Sequence, residues 1–473
     1  MSIADRADPR RSRGSRNRCH KVIVWLLRKV HRLVNSVRKS SSSALIAALA
    51  MVFAASCTQQ PERVDSTPPA PTGKQTLPAR AVYDPPAKFN TQAGVLMPWE
   101  ATSGLLSVGG TWLGDSKIPV ALHKDKAYVA TLDRLLAFNT TTGSLTATIA
   151  PTADALSVLS ENDRNNAAPP VVTPGADPLV LAPFFVRRPG VGTQAATNFI
   201  ELTATDASSD KVGWRLPLTL PSWTKDGSPR TVSVIGASEK VAIVTVSTGA
   251  SSLFSAATTY GIDLTARRVV WTKDRFEATA VTGKIVAGEL ETSDGTYESA
   301  RGYDLLTGTE RWHGEDRLNL DVKPAGPHLL LVQAQNKDDA RVHIQQFLDP
   351  ATGAVKHEAP EDIAGSRCGH DGQNTVVCSW NQGNLYKVWA FNDRTASLLW
   401  QLPDQTANRI APRVTAVWNG RVYGKTDNGP LALDSRTGAD LPTRPGVAPF
   451  LVNGYTGLAL SPEDDLTAYP AAR

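Results

Sequence analysis

Between Val95 and Tyr469 the apolar residues fall in short runs separated by polar turns, as in Val241-Ala-Ile-Val-Thr-Val246, His328-Leu-Leu-Leu-Val332 and Arg421-Val-Tyr423. Runs of this length, rich in β-branched residues, predict strands rather than helices. No long segment in this stretch keeps a 3.6-residue period. Many runs also end alike: Ala or Gly, an aromatic or aliphatic residue, then Asp or Asn, with a Gly four residues on and a Trp about four beyond it. The fullest copy is Gly302-Tyr-Asp304-Leu-Leu-Thr-Gly308-Thr-Glu-Arg-Trp312.

Its centre recurs around Asp349 and Gly353, and around Asp434 and Gly438. Asn392 is followed by Trp400, Asn139 by Gly143, Asp206 by Trp214 and Asp263 by Trp271. The local physics is that of a turn between strands. The Asp or Asn side chain accepts backbone N–H groups just downstream, and the Gly supplies a positive φ as the chain re-enters a strand. Trp214, Trp271, Trp312 and Trp400 then fall in the next strand, each offering a large apolar face for packing. The Asp or Asn positions 139, 206, 263, 304, 349, 392 and 434 lie 67, 57, 41, 45, 43 and 42 residues apart. Periods of roughly 40 to 50 residues with several short strands each predict a β-propeller.

The expected fold is an all-β, eight-bladed propeller of four-stranded antiparallel blades spanning 87–473, with seven blades as the alternative. Val95-Leu-Met-Pro-Trp99 resembles Leu398-Leu-Trp-Gln-Leu402 and is expected to close the ring as an N-terminal strand in the last blade. Closure removes free sheet edges.

The N-terminal part reads differently. Residues 1–39 are densely basic, and Ala44 to Ala55 form an apolar run too short to span a bilayer, leading into Cys57. Residues 1–57 therefore read as a signal peptide with a long basic n-region. Ala54-Ala-Ser-Cys57 resembles a bacterial lipobox, which makes Cys57 the lipidation candidate. A plain secretory signal cut nearby is the alternative. A helical apolar stripe from Val22 to Val37 either lies on an anionic membrane surface or marks a translation start set too far upstream. Residues 58–86, rich in Pro, Ser and Thr, are expected to be a disordered tether.

Charge changes once the leader is set aside. The whole chain is formally +5, but residues 1–57 hold twelve Lys or Arg and two Asp, leaving 38 basic and 43 acidic residues beyond, a net of −5. That leaves no electrostatic footprint for nucleic acid. The expected location is the extracytoplasmic face of the cell membrane, with an envelope protein as partner.

Beyond Cys57 the only cysteines are Cys368 and Cys378, flanking what reads as a strand, a turn and a returning strand. An oxidising compartment favours a disulfide there. The rival is a reduced pair joining His370 in a metal site, but no further ligands stand at fixed spacing. No Ser-His-Asp or paired-carboxylate constellation can be placed, so neither a catalytic residue nor a metal ligand is assigned.

The pattern Ala-x-Asp-x-x-Thr-Gly-x-x-x-Trp resembles the PQQ-like repeat over roughly residues 95–470. That repeat is shared by quinoprotein dehydrogenases and by non-enzymatic propellers related to the outer-membrane assembly factor BamB. The resemblance implies the fold and not a cofactor, because the motif is a structural device in that family. A PQQ- and Ca²⁺-dependent dehydrogenase would carry vicinal cysteines over the cofactor and long loop insertions, neither of which is seen. The expectation is a non-enzymatic, cofactor-free scaffold or sensor module. Its partner surface is looked for first at Leu156–Pro189 and Pro221–Arg230.

Overall fold

A computed structural model describes residues 81–99, 101–102, 118–156, 167–226, 231–248, 256–360, 363–383, 385–461 and 465–473. The signal peptide, Cys57 and most of the expected tether lie outside the described residues. Among the described residues no helix is long and apolar enough to cross a membrane.

The chain is a β-propeller built of antiparallel meanders. Consecutive strands pair in order within the sheets Val120–Ile149, Thr231–Asp274, Phe276–Glu358, Arg367–Leu402 and Arg413–Asp434. Middle strands such as Val241–Ser247 are buried along their whole length, which explains their continuous apolar runs. First strands such as Phe276–Thr282 alternate between buried and half-buried positions instead. The apolar core sits between sheets. One cluster joins Leu329, Leu331 and Phe347 of one sheet to Val376, Trp389 and Phe391 of the next. Another joins Val120, Val129 and Phe138 near the start to Phe450, Leu458 and Leu466 near the end. Each sheet thus packs on its neighbours, and the last packs on the first.

Counted by hydrogen bonding, the described residues form seven sheets. One of them has seven strands, because the 15-residue strand Glu310–Pro324 is both the outer strand of one four-strand set and the inner strand of the next. Splitting that sheet at the shared strand gives eight strand sets among the described residues.

The N-terminal strand is part of the last sheet, as two short pieces. Lys88–Phe89 pairs with Ala472 and Ala471, and Val95–Leu96 pairs with Ala468 and Thr467. The second piece ends early because Pro98 has no N–H to continue the ladder, and Ala101 turns back onto the Pro98 carbonyl. The sheet Arg413–Asp434 has three strands rather than four. Leu441 donates to the Ala432 carbonyl as a fourth strand would, but Pro442 follows and the pairing stops.

Candidate functional site

Every motif carboxylate or amide sits where the third strand of a set ends in a turn, and its side chain serves its own backbone. Asp304 Oδ1 accepts the N–H groups of Leu306 and Thr307, both at 3.0 Å. Asp434 Oδ1 takes those of Arg436 and Thr437 at 3.1 and 2.8 Å. Asn139, Asp206, Asp263 and Asn392 each accept the same two positions downstream, and Asp349 accepts Ala351 N–H. The fourth residue on has φ near +70° at Gly143, Gly308, Gly353 and Gly438, while Asp210, Arg267 and Ala396 hold positive φ in the weaker copies. In the left-handed region those three side chains carry a steric cost that Gly avoids.

Three tryptophans link one set to the next. Trp271, Trp312 and Trp400 donate Nε1–H to the carbonyls of Leu305, Pro350 and Ser435, each one residue past the following motif Asp. The rings lie against the next turn's glycine. A Cβ at Gly308, Gly353 or Gly438 would come within 2.6 Å of the tryptophan. Trp214 lies opposite Ala204 and packs against the neighbouring core cluster. At Gly143, Val95 Cγ1 and the Leu96 carbonyl fill the place a tryptophan takes elsewhere.

Cys368 and Cys378 form a disulfide between directly paired residues of the hairpin's strands. Both nitrogens of His370 are engaged nearby: Nδ1 accepts the Gly372 N–H at 3.0 Å, and Nε2 lies 3.3 Å from Asp393 Oδ2. An acceptor at Nδ1 places the neutral ring's proton on Nε2, so Nε2 is the donor to Asp393. Among the described residues no three His, Cys, Asp or Glu side chains come together as a metal set.

Two groups of acids stand outside the repeated motif. Asp371 is buried and accepts the N–H groups of Gln373, Asn374 and Thr375 and the Ser435 hydroxyl. Burial pushes its pKa up, but these four donors outweigh it and hold the carboxyl below the usual value. The bond to Ser435 ties this hairpin to the next set's turn. The other group is Glu277, Glu289 and Glu298, on neighbouring strands of the seven-stranded sheet. Burial pushes all three pKa values up, with Glu289 raised furthest. Glutamates inside Phe276-Glu-Ala-Thr-Ala280 and Ile285-Val-Ala-Gly-Glu289 interrupt β-rich runs, which is the one signal that could have marked them.

The surfaces named from sequence are partly absorbed into the fold. Asp154–Ala155 and Val171–Val172 pair with the strand Leu179–Arg188, and Arg188 lies 5.0 Å over the Phe199 ring. Trp223 packs on the core and donates to Thr258 Oγ1 at 3.0 Å. Residues 157–166 and 227–230 lie outside the described residues. An open cleft of about 760 Å³ follows the long strand Glu310–Pro324. Leu320, Val332 and Leu348 line it, with Arg301, Arg317 and Lys337. A second cleft, about 370 Å³, lies where the three-stranded sheet lacks its outer strand.

No family model matches the chain, and no curated protein does. Among solved structures it is similar to BamB from Moraxella catarrhalis, at 16% identity over 76% of this chain and 96% of that one, with a TM-score of 0.43. It is similar to a europium-containing methanol dehydrogenase at 10% identity, over 76% and 83% of the two chains, with a TM-score of 0.38. It is also similar to Saccharomyces cerevisiae Sqt1 at 8% identity, over 77% and 98%, with a TM-score of 0.43. Likenesses this distant carry no argument about activity, so the assignment as a β-propeller rests on the chain's own sheets and seams.

Proposed function

We propose that the protein is an exported lipoprotein, anchored through Cys57, whose β-propeller is a non-enzymatic protein-binding scaffold or extracytoplasmic sensor module. The observation that carries this reading is the use of the repeated polar residues. Each motif Asp or Asn bonds backbone amides of its own turn, so the one recurrent chemical feature of the chain is spent on rigidity. A rigid ring that presents loops on two faces suits binding.

The first described residues support a tether leaving from a fixed point. Tyr83 N–H bonds the Gly454 carbonyl, Trp418 Nε1 donates to Asp84 Oδ1, and Tyr423 OH donates to the Pro86 carbonyl. These contacts hold the end of the N-terminal segment on the last two sheets.

Among the described residues nothing favours a quinone and Ca²⁺ site. The two cysteines are paired across a hairpin, and Glu277, Glu289 and Glu298 already accept protein donors. Crosslinking on intact cells, followed by identification of the captured proteins, tests the scaffold reading, with a reproducible envelope partner as the expected result. Stoichiometric PQQ uptake in a titration with Ca²⁺ would overturn it. For the anchor, Cys57→Ala is expected to release the protein from the membrane fraction; unchanged membrane association would refute lipidation.

A further inference from the structure

Glu277, Glu289 and Glu298 share one face of the seven-stranded sheet. Glu277 stands directly opposite Glu289, and Glu289 stands opposite Ala300, two residues from Glu298. Like charges directly opposite each other destabilise a sheet, so the arrangement needs a reason. The long strand Glu310–Pro324 supplies it. Its pairing with the preceding strand ends at Glu298↔Arg317. The backbone then turns through Asn319 at φ 49°, and pairing with Leu330–Asn336 resumes regularly from Asp321.

Beyond that break the strand's other edge meets carboxylates. Glu298 Oε2 accepts the Leu320 N–H at 3.1 Å, and Glu289 Oε1 accepts the Val322 N–H at 2.8 Å. On the other side Glu277 Oε1 accepts the Ser247 hydroxyl at 2.9 Å, and Ser247 Oγ lies 2.6 Å from Thr231 Oγ1. Polar contacts therefore reach from this face to the preceding strand set through Ser247 and to the following one through the Leu320 and Val322 amides. Without the glutamates the two amides would be left without these acceptors, which costs about 1–3 kcal/mol per buried group.

We propose that this group is a proton-operated latch: Glu289 protonated holds the junction closed, and Glu289 ionised loosens it. A protonated Glu289 keeps a carbonyl oxygen for Val322 N–H and places no charge opposite Glu277. An ionised one sets two carboxylates against each other in a poorly solvated site. The surrounding charges do not cancel this repulsion. Asp321 is held by Lys323 at 2.6 Å and Arg317 by Glu315 at 2.7 Å. Arg275 acts on Glu291, at the sheet's end, and Asp274 of the preceding sheet is bonded by Thr258. Burial pushes Glu289 up, so its favourable contribution is complete below the ordinary carboxyl range and is lost as pH rises through its folded-state value. The latch lies on the strand that lines the 760 Å³ cleft, since Arg317 and Leu320 belong to both.

Hydrogen exchange on the full chain between about pH 5 and pH 8, corrected for intrinsic exchange, tests the proposal at the Leu320 and Val322 amides. Protection in the natural protein is expected to fall about tenfold or more across that window, a change worth about 1.4 kcal/mol. Glu289→Gln keeps the acceptor oxygen and should hold the low-pH protection throughout. Amides in Leu385–Asn392 serve as the internal reference. Flat protection in the natural protein, or a pH dependence unchanged in Glu289→Gln, overturns the latch. The first outcome can be read even where the variant does not fold.

Discussion

Asp206 and Asp304, at the ends of strands, accept backbone amides from the turns they open, while Glu289 is set among strands opposite a second glutamate. Hydroxyls and amides of Ser208 and Ser209 hold Asp206 at about 2, and the Arg311 guanidinium with the turn amides holds Asp304 at about 2. Glu289 also accepts a backbone amide, yet burial dominates and its pKa is raised. The difference lies in the number of donors and in the charge that stands opposite. A carboxylate that gathers several donors at a strand end is stabilised as an anion. One with a single donor and a like charge opposite is stabilised as an acid. Turn carboxylates therefore contribute stability that is lost as pH falls toward 2, and the glutamates contribute stability that is lost as pH rises.

The largest test of the turn seams removes a tryptophan. Trp312→Ala is expected to cost about 3–5 kcal/mol in denaturant unfolding, since a buried ring and its bond to the Pro350 carbonyl are both lost. Leu320 and Val322 share its core cluster, so their amides should lose protection along with it.

Next in size, replacing Cys368 and Cys378 by Ser together should cost about 3 kcal/mol from loop-closure entropy. The pH dependence of both carboxylate classes should persist. A changed pH profile would mean that this hairpin, which carries Asp371, is coupled to one of them.

Asp304→Ala should cost about 1–2 kcal/mol at neutral pH by leaving two turn amides without their acceptor. The cost should shrink as pH falls toward 2, where the natural carboxylate is itself protonated. Asp304→Asn should recover much of the loss, because Asn139 and Asn392 accept the same amides in their own turns.

The smallest effect has the opposite sign. Glu289→Gln should stabilise the chain by on the order of 1 kcal/mol at pH 8 and by little near pH 4.5, read from urea midpoints. Destabilisation at pH 8 would show that the carboxylate's bond to Val322 outweighs the repulsion.

The seven motif positions could be read from the chain because turn chemistry is local. An Asp or Asn accepts amides two and three residues away, so Asp304 and Asp434 declare their turns without help from the rest of the fold. The period between them gave the propeller for the same reason, and the C-terminal sheet's share of the N-terminal strand was legible in Val95–Leu96. Trp312 could be seen as an apolar face. That its indole donates to Pro350 and lies against Gly353 depends on the next set being its neighbour in space.

What the sequence determined by itself is the set of features confined to a few consecutive residues: strand, turn, positive φ and their repetition. The tertiary structure decided everything that needs two strands in register or two sets in contact. Only sheet pairing puts Glu277 opposite Glu289, twelve residues away. Only the break at Asn319, in a strand serving two sets at once, brings Glu298 and Glu289 to the Leu320 and Val322 amides. A carboxylate's charge state depends on its solvation and on the donors around it, and those distant parts of the chain set both at Glu289.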